Sequence, residues 1–379
     1  YVYNAIKSGN WYPLYDPAWY NGVEILRYWS PFPAYVMAFC QYLAGGSQFG
    51  AYLFYIGGVC FLGACVWPFI GRGFNRPYLG AFIGLLWFFM PNNLCAIFIE
   101  GNLARSLSMI FLPVFIYSVY KYLYNHKLRY IPLMVFTFLL MELCHLGYAG
   151  MVAIAVIIYG IVYMIQKGRK KAVLDVVISM IFGFMLLGIW LVASLRGGIT
   201  SLDNSENMAN FFQNLWITIN PFERLTRGFE YFYFGFATLI VIVFGILFGY
   251  KKSRTGFVTG FIILLMTTKS AYAVLKHLPG SQYLWMLRFI SIALCMILMS
   301  FLMWDRLKKT LVLMLCVLLV VDTIPSLSLI VGEHNDISVQ ERMAARQDST
   351  LISSAQAVTK QRLCLLYTSP SPRDSTSSR

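Results

Sequence analysis

The sequence predicts an all-α protein, a polytopic transmembrane helical bundle, and three observations support this fold class. Hydrophobic residues make up 59% of the 379 residues, charged residues make up 12%, and the mean hydropathy is +0.65. A soluble domain has about 25% charged residues. The hydrophobic residues are gathered in successive runs of helical length, and short basic loops recur between these runs. We therefore expect most of the chain to lie in a membrane.

The predicted elements follow an aromatic-rich external loop, residues 1–30, that we expect to resemble an active-site loop. Residues 31–45 are apolar, but a helix of this length reaches only ~22 Å, short of a ~30 Å hydrocarbon core. They predict a re-entrant or interfacial helix at the start of the transmembrane domain, residues 31–330. About ten spans follow, at 48–70, 78–92, 103–123, 129–146, 148–166, 173–195, 231–250, 255–270, 284–304 and 310–330.

The basic residues predict the orientation of these spans. Fifteen Lys and Arg residues lie in every second loop, at 71–77, 121–130, 167–172, 250–255 and 305–310. The positive-inside rule places such loops in the cytoplasm and the opening loop and 196–230 outside. The net charge of +14 thus reflects topology, and we expect no nucleic-acid partner. The sequence has no glycine motif for a nucleotide, which disfavours an ATP-driven pump.

The ends of the chain have a different composition. Residues 331–362 turn polar and predict the start of an external region. Residues 363–379 resemble translated sequencing-adapter sequence, so we expect them to be non-native. Residue 1 falls in a polar loop, and we expect a membrane span before it. The eight cysteines form no Cys-x-x-Cys pair and predict neither a metal site nor a disulfide framework.

Two acids of the opening loop are candidate catalytic residues. Asp16 precedes Pro17, and Glu24 follows the Asn21-Gly22 pair. A glycosyl transferase needs a carboxylate that takes the proton of the acceptor hydroxyl or holds a metal ion. Turn formation explains the same residues at least as often, because Asp-Pro and Asn-Gly are ordinary turn signals.

The aromatic residues of this loop are candidates for substrate binding. Nine of them lie between residues 11 and 35, among them Trp19 and Tyr20. Aromatic faces can hold sugar rings, but an interfacial belt explains these residues more often.

Charged residues inside apolar runs are costly, at ~3 kcal/mol or more, so each of them needs a reason. Glu142 and His145 lie three residues apart near the end of the 129–146 span. They predict either a polar pair that faces a cavity or a pair that satisfies itself at the membrane surface. His145 is the stronger catalytic candidate because imidazole can donate, accept or bind a metal.

Two arginines are candidate phosphate ligands. Arg288 lies within the 284–304 span after Trp285, and guanidinium binds phosphate through two hydrogen bonds without losing its charge. A salt bridge to Glu100 or Glu142 is the alternative explanation of Arg288. Glu100 and Arg105 flank the start of the 103–123 span, where a capping acid and a snorkelling arginine are also expected.

Several short motifs carry a resemblance to a known family. They are Gly9-Asn10-Trp11-Tyr12-Pro13, Asp16-Pro17, Tyr20-Asn21-Gly22, Tyr28-x-x-Pro31-x-Pro33, EGNLARSLSMIFLP at 100–113, His145, and QYLWMLRF at 282–289. In these motifs the chain is similar to bacterial polytopic membrane proteins described as 6-pyruvoyl-tetrahydropterin synthase-related, which resemble the C-type superfamily of polyprenyl-phosphate-sugar glycosyltransferases.

This resemblance implies an enzyme of the bacterial cytoplasmic membrane with long extracytoplasmic loops. It implies that a catalytic Asp follows the first span of such proteins, upstream of Tyr1 in this chain. The family description also implies a soluble zinc enzyme, but four histidines form no His-rich metal set, so we discount pterin chemistry.

The combined interpretation is a glycosyltransferase-like protein on the extracytoplasmic face. It would transfer a sugar from a polyprenyl-phosphate carrier to an envelope glycan or lipid acceptor, with membrane lipid as its surroundings. Asp16, Glu24 and His145 would be catalytic, and the residues leave open whether a divalent metal ion takes part. The alternatives are a lipid-linked glycan transporter or flippase and a non-catalytic envelope assembly protein. The residues that would bind the substrate are Arg288, Arg105, Glu100, Trp285, Trp19 and Tyr20.

Overall fold

The computed structural model describes residues 1–16, 24–196, 235–277, 284–304 and 307–326. Within these ranges the chain is helical and has no β-strand, which confirms the all-α class. The first eight helices are α1 (Val2–Lys7), α2 (Ile25–Tyr28), α3 (Phe32–Leu43), α4 (Gln48–Gly73), α5 (Pro77–Trp87), α6 (Pro91–Phe98), α7 (Leu103–Asn125) and α8 (Tyr130–Cys144). The others are α9 (Leu146–Lys167), α10 (Lys170–Leu186), α11 (Gly188–Arg196), α12 (Phe236–Phe248), α13 (Lys251–Met266), α14 (Lys269–Leu275), α15 (Phe289–Met303) and α16 (Lys309–Val321).

The lengths of these helices give five to seven candidate membrane spans in the described part of the chain. Five helical segments are long and apolar enough, and two bent helix pairs raise the number to seven. The bends are 45° between α5 and α6 and 63° between α10 and α11. All ten predicted segments contain a helix, but ten spans are not confirmed, because α8 and α12 have only 15 and 13 residues. The five long segments are Gln48–Gly73, Leu103–Asn125, Leu146–Lys167, Met286–Met303 and Lys309–Ser326.

Helix α15 lies at the centre of the bundle. Every residue from Phe289 to Leu302 is buried, as expected for a helix that is apolar on all sides. Its closest neighbour is α13, where glycine allows the approach. A Cβ on Gly256 would lie 1.9 Å from Ser300 Oγ, so only glycine fits there.

The pairing of α4 with α5 also depends on small residues. Gly80 and Gly84 form a Gly-x-x-x-Gly pattern on α5 and face the backbone of α4. A Cβ on Gly80 would lie 2.4 Å from the carbonyl oxygen of Trp67, and one on Gly84 would lie 2.3 Å from that of Ala64. These glycines therefore let the two helices pack backbone to backbone.

Helix α7 contains Pro113 in its interior and remains continuous. Proline has no N–H group, so the carbonyl of Met109, four residues earlier, loses its helical donor. The indole Nε1 of Trp87, at the end of α5, donates a hydrogen bond to this carbonyl oxygen at 3.3 Å. A side chain of a neighbouring helix thus replaces the missing backbone bond.

The opening segment is more structured than the predicted loop 1–30. It contains α1 and α2, and its residues Val2 and Leu26 form a small separate core with Ala38 of α3. The indole of Trp190 donates to the carbonyl of Leu26 at 2.7 Å. Helix α3 has 12 residues, about 18 Å of helix, and is too short to cross a membrane. The predicted external regions at 196–230 and 331–362 lie outside the described residues, apart from Arg196 at the end of α11.

Candidate functional site

Polar side chains converge at the end of the bundle where α7 and α9 begin and where the turn before α15 lies. We name this group the arginine cluster and define it as Asn92, Glu100, Arg105, His145 and Arg288. Glu100, Arg105, His145 and Arg288 are residues that the sequence had singled out. They come from three separate parts of the chain, and the structure brings them into contact.

Arg105 is the buried centre of the cluster. The chain turns at Gly101, whose φ of 58° is in the left-handed region, and Asn102 then caps α7 by accepting from Arg105 N at 3.0 Å. The guanidinium of Arg105 is fully buried, forms an ion pair with Glu100 and donates from Nη2 to Asn92 Oδ1 at 2.8 Å. A buried charge requires such partners.

Asn92 connects Arg105 with the turn before α15, and this role was not predicted from the sequence. Its side-chain Nδ2 donates to the carbonyl oxygen of Leu287 at 3.2 Å, while its Oδ1 accepts from Arg105. The signal was present, since two consecutive amides, Asn92 and Asn93, follow Pro91 in an apolar stretch. Buried amides need hydrogen-bond partners, so such a pair marks a polar contact.

Arg288 lies at the end of the short 3₁₀ helix Met286–Arg288 that leads into α15. Its guanidinium carbon lies 4.6 Å from the ring centroid of Trp285, a cation–π contact that orients the side chain. Its Nε lies 3.9 Å from Oε2 of Glu100, and its Nη1 lies 3.2 Å from Nε2 of His145. The side chain is 12% exposed, whereas Arg105 is fully buried. Arg288 is thus the cation that a ligand can reach.

His145 caps α9 and faces both arginines. Its Nδ1 accepts from the backbone N–H of Tyr148 at 3.2 Å. Burial and then the charges of Arg288 and Arg105 lower its pKa to about 3, so the ring is neutral. A neutral imidazole that accepts at Nδ1 carries its proton at Nε2. That proton faces the donor groups of Arg288, and this contact lacks an acceptor.

The cluster therefore holds more hydrogen-bond donors than acceptors. Two guanidinium groups share one carboxylate, that of Glu100, and His145 adds no charge. The Nε groups of Arg105 and Arg288 are buried and have no hydrogen-bond partner. A ligand with several negatively charged oxygens, such as phosphate, matches this surplus of donors.

The structure places the predicted acids of the opening segment outside the contacts of the cluster that it describes. Glu24 forms an ion pair with Arg27, three residues further on. Asp16 is buried and lies close enough to Tyr1 for its charge to raise the pKa of that hydroxyl, after the larger effect of burial. Trp19 and Tyr20 lie outside the described residues.

The opening segment nevertheless reaches the neighbourhood of the cluster. Ser30 Oγ donates to the backbone carbonyl of Glu142 at 3.1 Å, and Glu142 lies three residues before His145. The carboxyl group of Glu142 is buried, and its Oε2 has no hydrogen-bond partner. The predicted pair of Glu142 and His145 is not formed, because His145 contacts Arg288 and Tyr148 instead.

An apolar groove of about 360 Å³ lies between α3, α4 and α7. Helix α7 contributes to both sites, since it carries Arg105 and, less than one turn further on, Leu107 of the groove. The other residues that line it are Phe32, Val36, Leu62, Cys65, Val66, Phe69, Ile110 and Phe111. Within the described ranges, no group of three His, Cys, Asp or Glu side chains could hold a metal ion.

The fold and the cluster define a polytopic helical membrane protein with a surplus of positive charge at one end of its bundle. A family model described as the 6-pyruvoyl-tetrahydropterin synthase related domain, a membrane protein, matches residues 26–330. Because this match covers well over half of the chain, the protein belongs to that family, as its motifs had suggested. No curated protein and no solved structure matches the chain.

Proposed function

We propose that this protein transfers a sugar from a polyprenyl-phosphate carrier to a cell-envelope acceptor on the extracytoplasmic face of the bacterial cytoplasmic membrane. One observation carries the proposal. Arg105, which is fully buried, and Arg288, which is 12% exposed, share the single carboxylate of Glu100, so Arg288 retains positive charge and an Nε–H group without a hydrogen-bond partner. A phosphate that leaves in a transfer reaction needs such a cation.

The roles of the cluster follow from its contacts. Arg288 binds the phosphate of the carrier and stabilises the charge that develops on it as the bond to the sugar breaks. Trp285 holds the guanidinium of Arg288 in place through the contact at 4.6 Å. Arg105 and Glu100 fix each other within the buried part of the cluster. His145 donates from Nε2 to a phosphate oxygen, so that its Nε2 proton, which faces the donor groups of Arg288, gains an acceptor.

The transfer itself requires a base. The acceptor hydroxyl forms a bond to the anomeric carbon, the bond from that carbon to the phosphate oxygen breaks, and a carboxylate takes the hydroxyl proton. Asp16 and Glu24 are the candidate bases in this chain, and Trp19 and Tyr20 are the candidates for holding the sugar.

A lipid-linked donor also suits the apolar groove. The groove is lined only by apolar side chains and lies on the same helix as Arg105. An isoprenoid chain is a suitable occupant, because it gains free energy when apolar surfaces of protein and lipid meet closely. The phosphate and the hydrocarbon of one carrier would then contact the same helix.

The decisive experiment measures transfer by the intact protein with polyprenyl-phosphate-linked sugars as donors. We expect Arg288→Ala to reduce kcat/KM by about 100-fold or more, because one donor to the developing charge is removed. Arg288→Lys keeps the charge but not the planar fork, and we expect a loss of roughly tenfold to 100-fold. The matched control is Arg129→Ala, which changes an exposed arginine at the start of α8, at the opposite end of the bundle from Arg288.

Other outcomes would refute the proposal. If Arg288→Ala and Arg129→Ala have the same turnover as the unmodified protein, Arg288 is not part of a transfer site. If proteoliposomes move a lipid-linked glycan across the bilayer but form no product, the protein is a flippase. Binding of polyprenyl phosphate in detergent, measured alongside, separates a loss of binding from a loss of chemistry.

A further inference from the structure

A second cavity lies at the opposite end of the bundle from the arginine cluster. We name it the α10 pocket; it has a volume of about 570 Å³. Helix α7 has 23 residues and hence spans about 35 Å, with the arginine cluster at its first turn and His126 after its last. The pocket is lined by Tyr122, His126, Gly168, Arg169, Lys170, Lys171, Ala172 and Asp175.

Three helix ends build this pocket. His126 ends α7 and Gly168 ends α9, both in the left-handed conformation, with φ of 54° and 68°. Helix α10 then begins at Lys170, after Arg169 as its N-cap. Arg169 and His126 are in hydrogen-bond contact, which links the end of α7 to the start of α10.

The charge distribution in the pocket is unusual for the start of a helix. The N-terminus of a helix carries a partial positive charge and favours acidic side chains. The first turn of α10 instead holds Lys170 and Lys171 and no acid, and neither lysine forms an ion pair with another described residue. Asp175 is the one carboxylate in the lining, and it accepts a hydrogen bond from Tyr122 Oη at 2.5 Å. The pocket therefore has a positive potential.

We infer that the α10 pocket binds the phosphodiester headgroup of an anionic phospholipid. The pocket lies at the ends of helices that cross the membrane, where lipid headgroups lie, and its volume is typical of a pocket for a small ligand. Basic pockets between transmembrane helices bind such headgroups through their phosphates. This site is separate from the arginine cluster and does not depend on a transferase activity.

The experiment measures binding of phosphatidylglycerol and phosphatidylcholine to the intact protein by native mass spectrometry from nanodiscs of mixed lipid. We expect bound phosphatidylglycerol to exceed bound phosphatidylcholine. In the double variant Lys170→Gln/Lys171→Gln, we expect the affinity for phosphatidylglycerol to fall by roughly tenfold to thirtyfold. Each basic residue near the membrane surface raises the affinity for an anionic lipid by up to roughly tenfold.

A second lysine pair provides a matched control. Lys251 and Lys252 are the first two residues of α13, and Thr255 of this helix donates to Gln166 near the end of α9 at 2.6 Å. They thus lie at the same end of the bundle but do not line the α10 pocket. We expect Lys251→Gln/Lys252→Gln to change the affinity less than twofold. Equal losses in both variants would show a diffuse surface effect and overturn the inference. Complete displacement of the lipid by inorganic phosphate would show a site for the free anion instead.

Discussion

The substitution Glu100→Gln tests whether two arginines compete for one carboxylate. It removes a negative charge while keeping the shape of the side chain and one acceptor oxygen. The fold and the phosphate site should then respond in opposite directions. The protein should become less stable because Arg105 loses its ionic partner, and a bound phosphate anion should be held more tightly because Arg288 no longer shares its charge.

The magnitudes follow from the geometry. Opposite charges 3.9 Å apart, as for Arg288 and Glu100, attract each other by ~4 kcal/mol at an effective dielectric constant of about 20. Removing one partner of a buried pair costs about 3–5 kcal/mol, and the remaining amide oxygen reduces this cost. We expect the free energy of unfolding to fall by about 2–3 kcal/mol. Arg288 is partly exposed, so we expect only about a third of this attraction to appear in binding, which raises the affinity for a phosphate anion near Arg288 roughly tenfold.

Two assays measure these effects on the same purified protein. The free energy of unfolding is obtained from denaturant unfolding in bicelles, and phosphate affinity from binding of polyprenyl phosphate in detergent. Glu24→Gln is the control for the stability assay, because the ion pair of Glu24 with Arg27 is about one-third exposed and contributes ~1 kcal/mol or less. If Glu100→Gln leaves stability unchanged and weakens phosphate binding, Glu100 only orients the side chains around it. The two arginines then do not compete for its carboxylate.

Two further predictions concern the helices that support the site. Asp322, at the end of α16, accepts hydrogen bonds from the backbone N–H and the hydroxyl of Thr238 at 2.6 and 2.7 Å, and so caps α12. The substitution Asp322→Asn should lower the free energy of unfolding by about 1–2 kcal/mol and increase hydrogen exchange at the start of α12. Unchanged exchange there would contradict the capping role. Gly256→Ala should lower stability by about 1–3 kcal/mol, because its Cβ would overlap Ser300 Oγ, while Gly57→Ala, with no atom within 4 Å of its Cβ, should be neutral. Denaturant unfolding of both glycine variants checks this, and equal effects would contradict the close packing of α13 on α15.

The sequence was sufficient for the fold class and for the positions of the long apolar helices, because apolar composition and helical length are local properties. It did not predict the short helices α1, α2 and α14. It was not sufficient for the number of spans. Proline occurs inside α4 and α7 without ending them, yet Pro91 begins a new helix after a bend. Whether a helix continues through a proline also depends on how the neighbouring helices pack against it, as the bond from Trp87 to Met109 shows for α7, and such packing is a tertiary property. The predicted 78–92 span is therefore the bent pair α5 and α6.

The candidate site was predictable in part for a similar reason. Glu100, Arg105, His145 and Arg288 are prominent in the sequence because charged or titratable groups are rare in apolar runs. The ion pair of Arg288 with Glu100 was one of the alternatives that the sequence left open. The contact of Arg288 with His145 was not predicted, since the two residues are 143 positions apart. Asn92 was missed because an uncharged amide is less conspicuous than a charge, although burying it carries a similar requirement for partners.

The hydrogen bond from Trp87 to the carbonyl of Met109 has a consequence for the assembly of the protein in the membrane. Pro113 leaves this carbonyl without a donor from its own helix, and an unpaired carbonyl in hydrocarbon costs several kcal/mol. Helix α7 alone would expose it to lipid tails until α5 packs against it. Since α5 precedes α7 in the chain, its indole is already available when α7 enters the bilayer. Insertion of α7 and its docking on the α4–α5 pair are thus expected to be one coupled step, and loss of the indole should delay or prevent it.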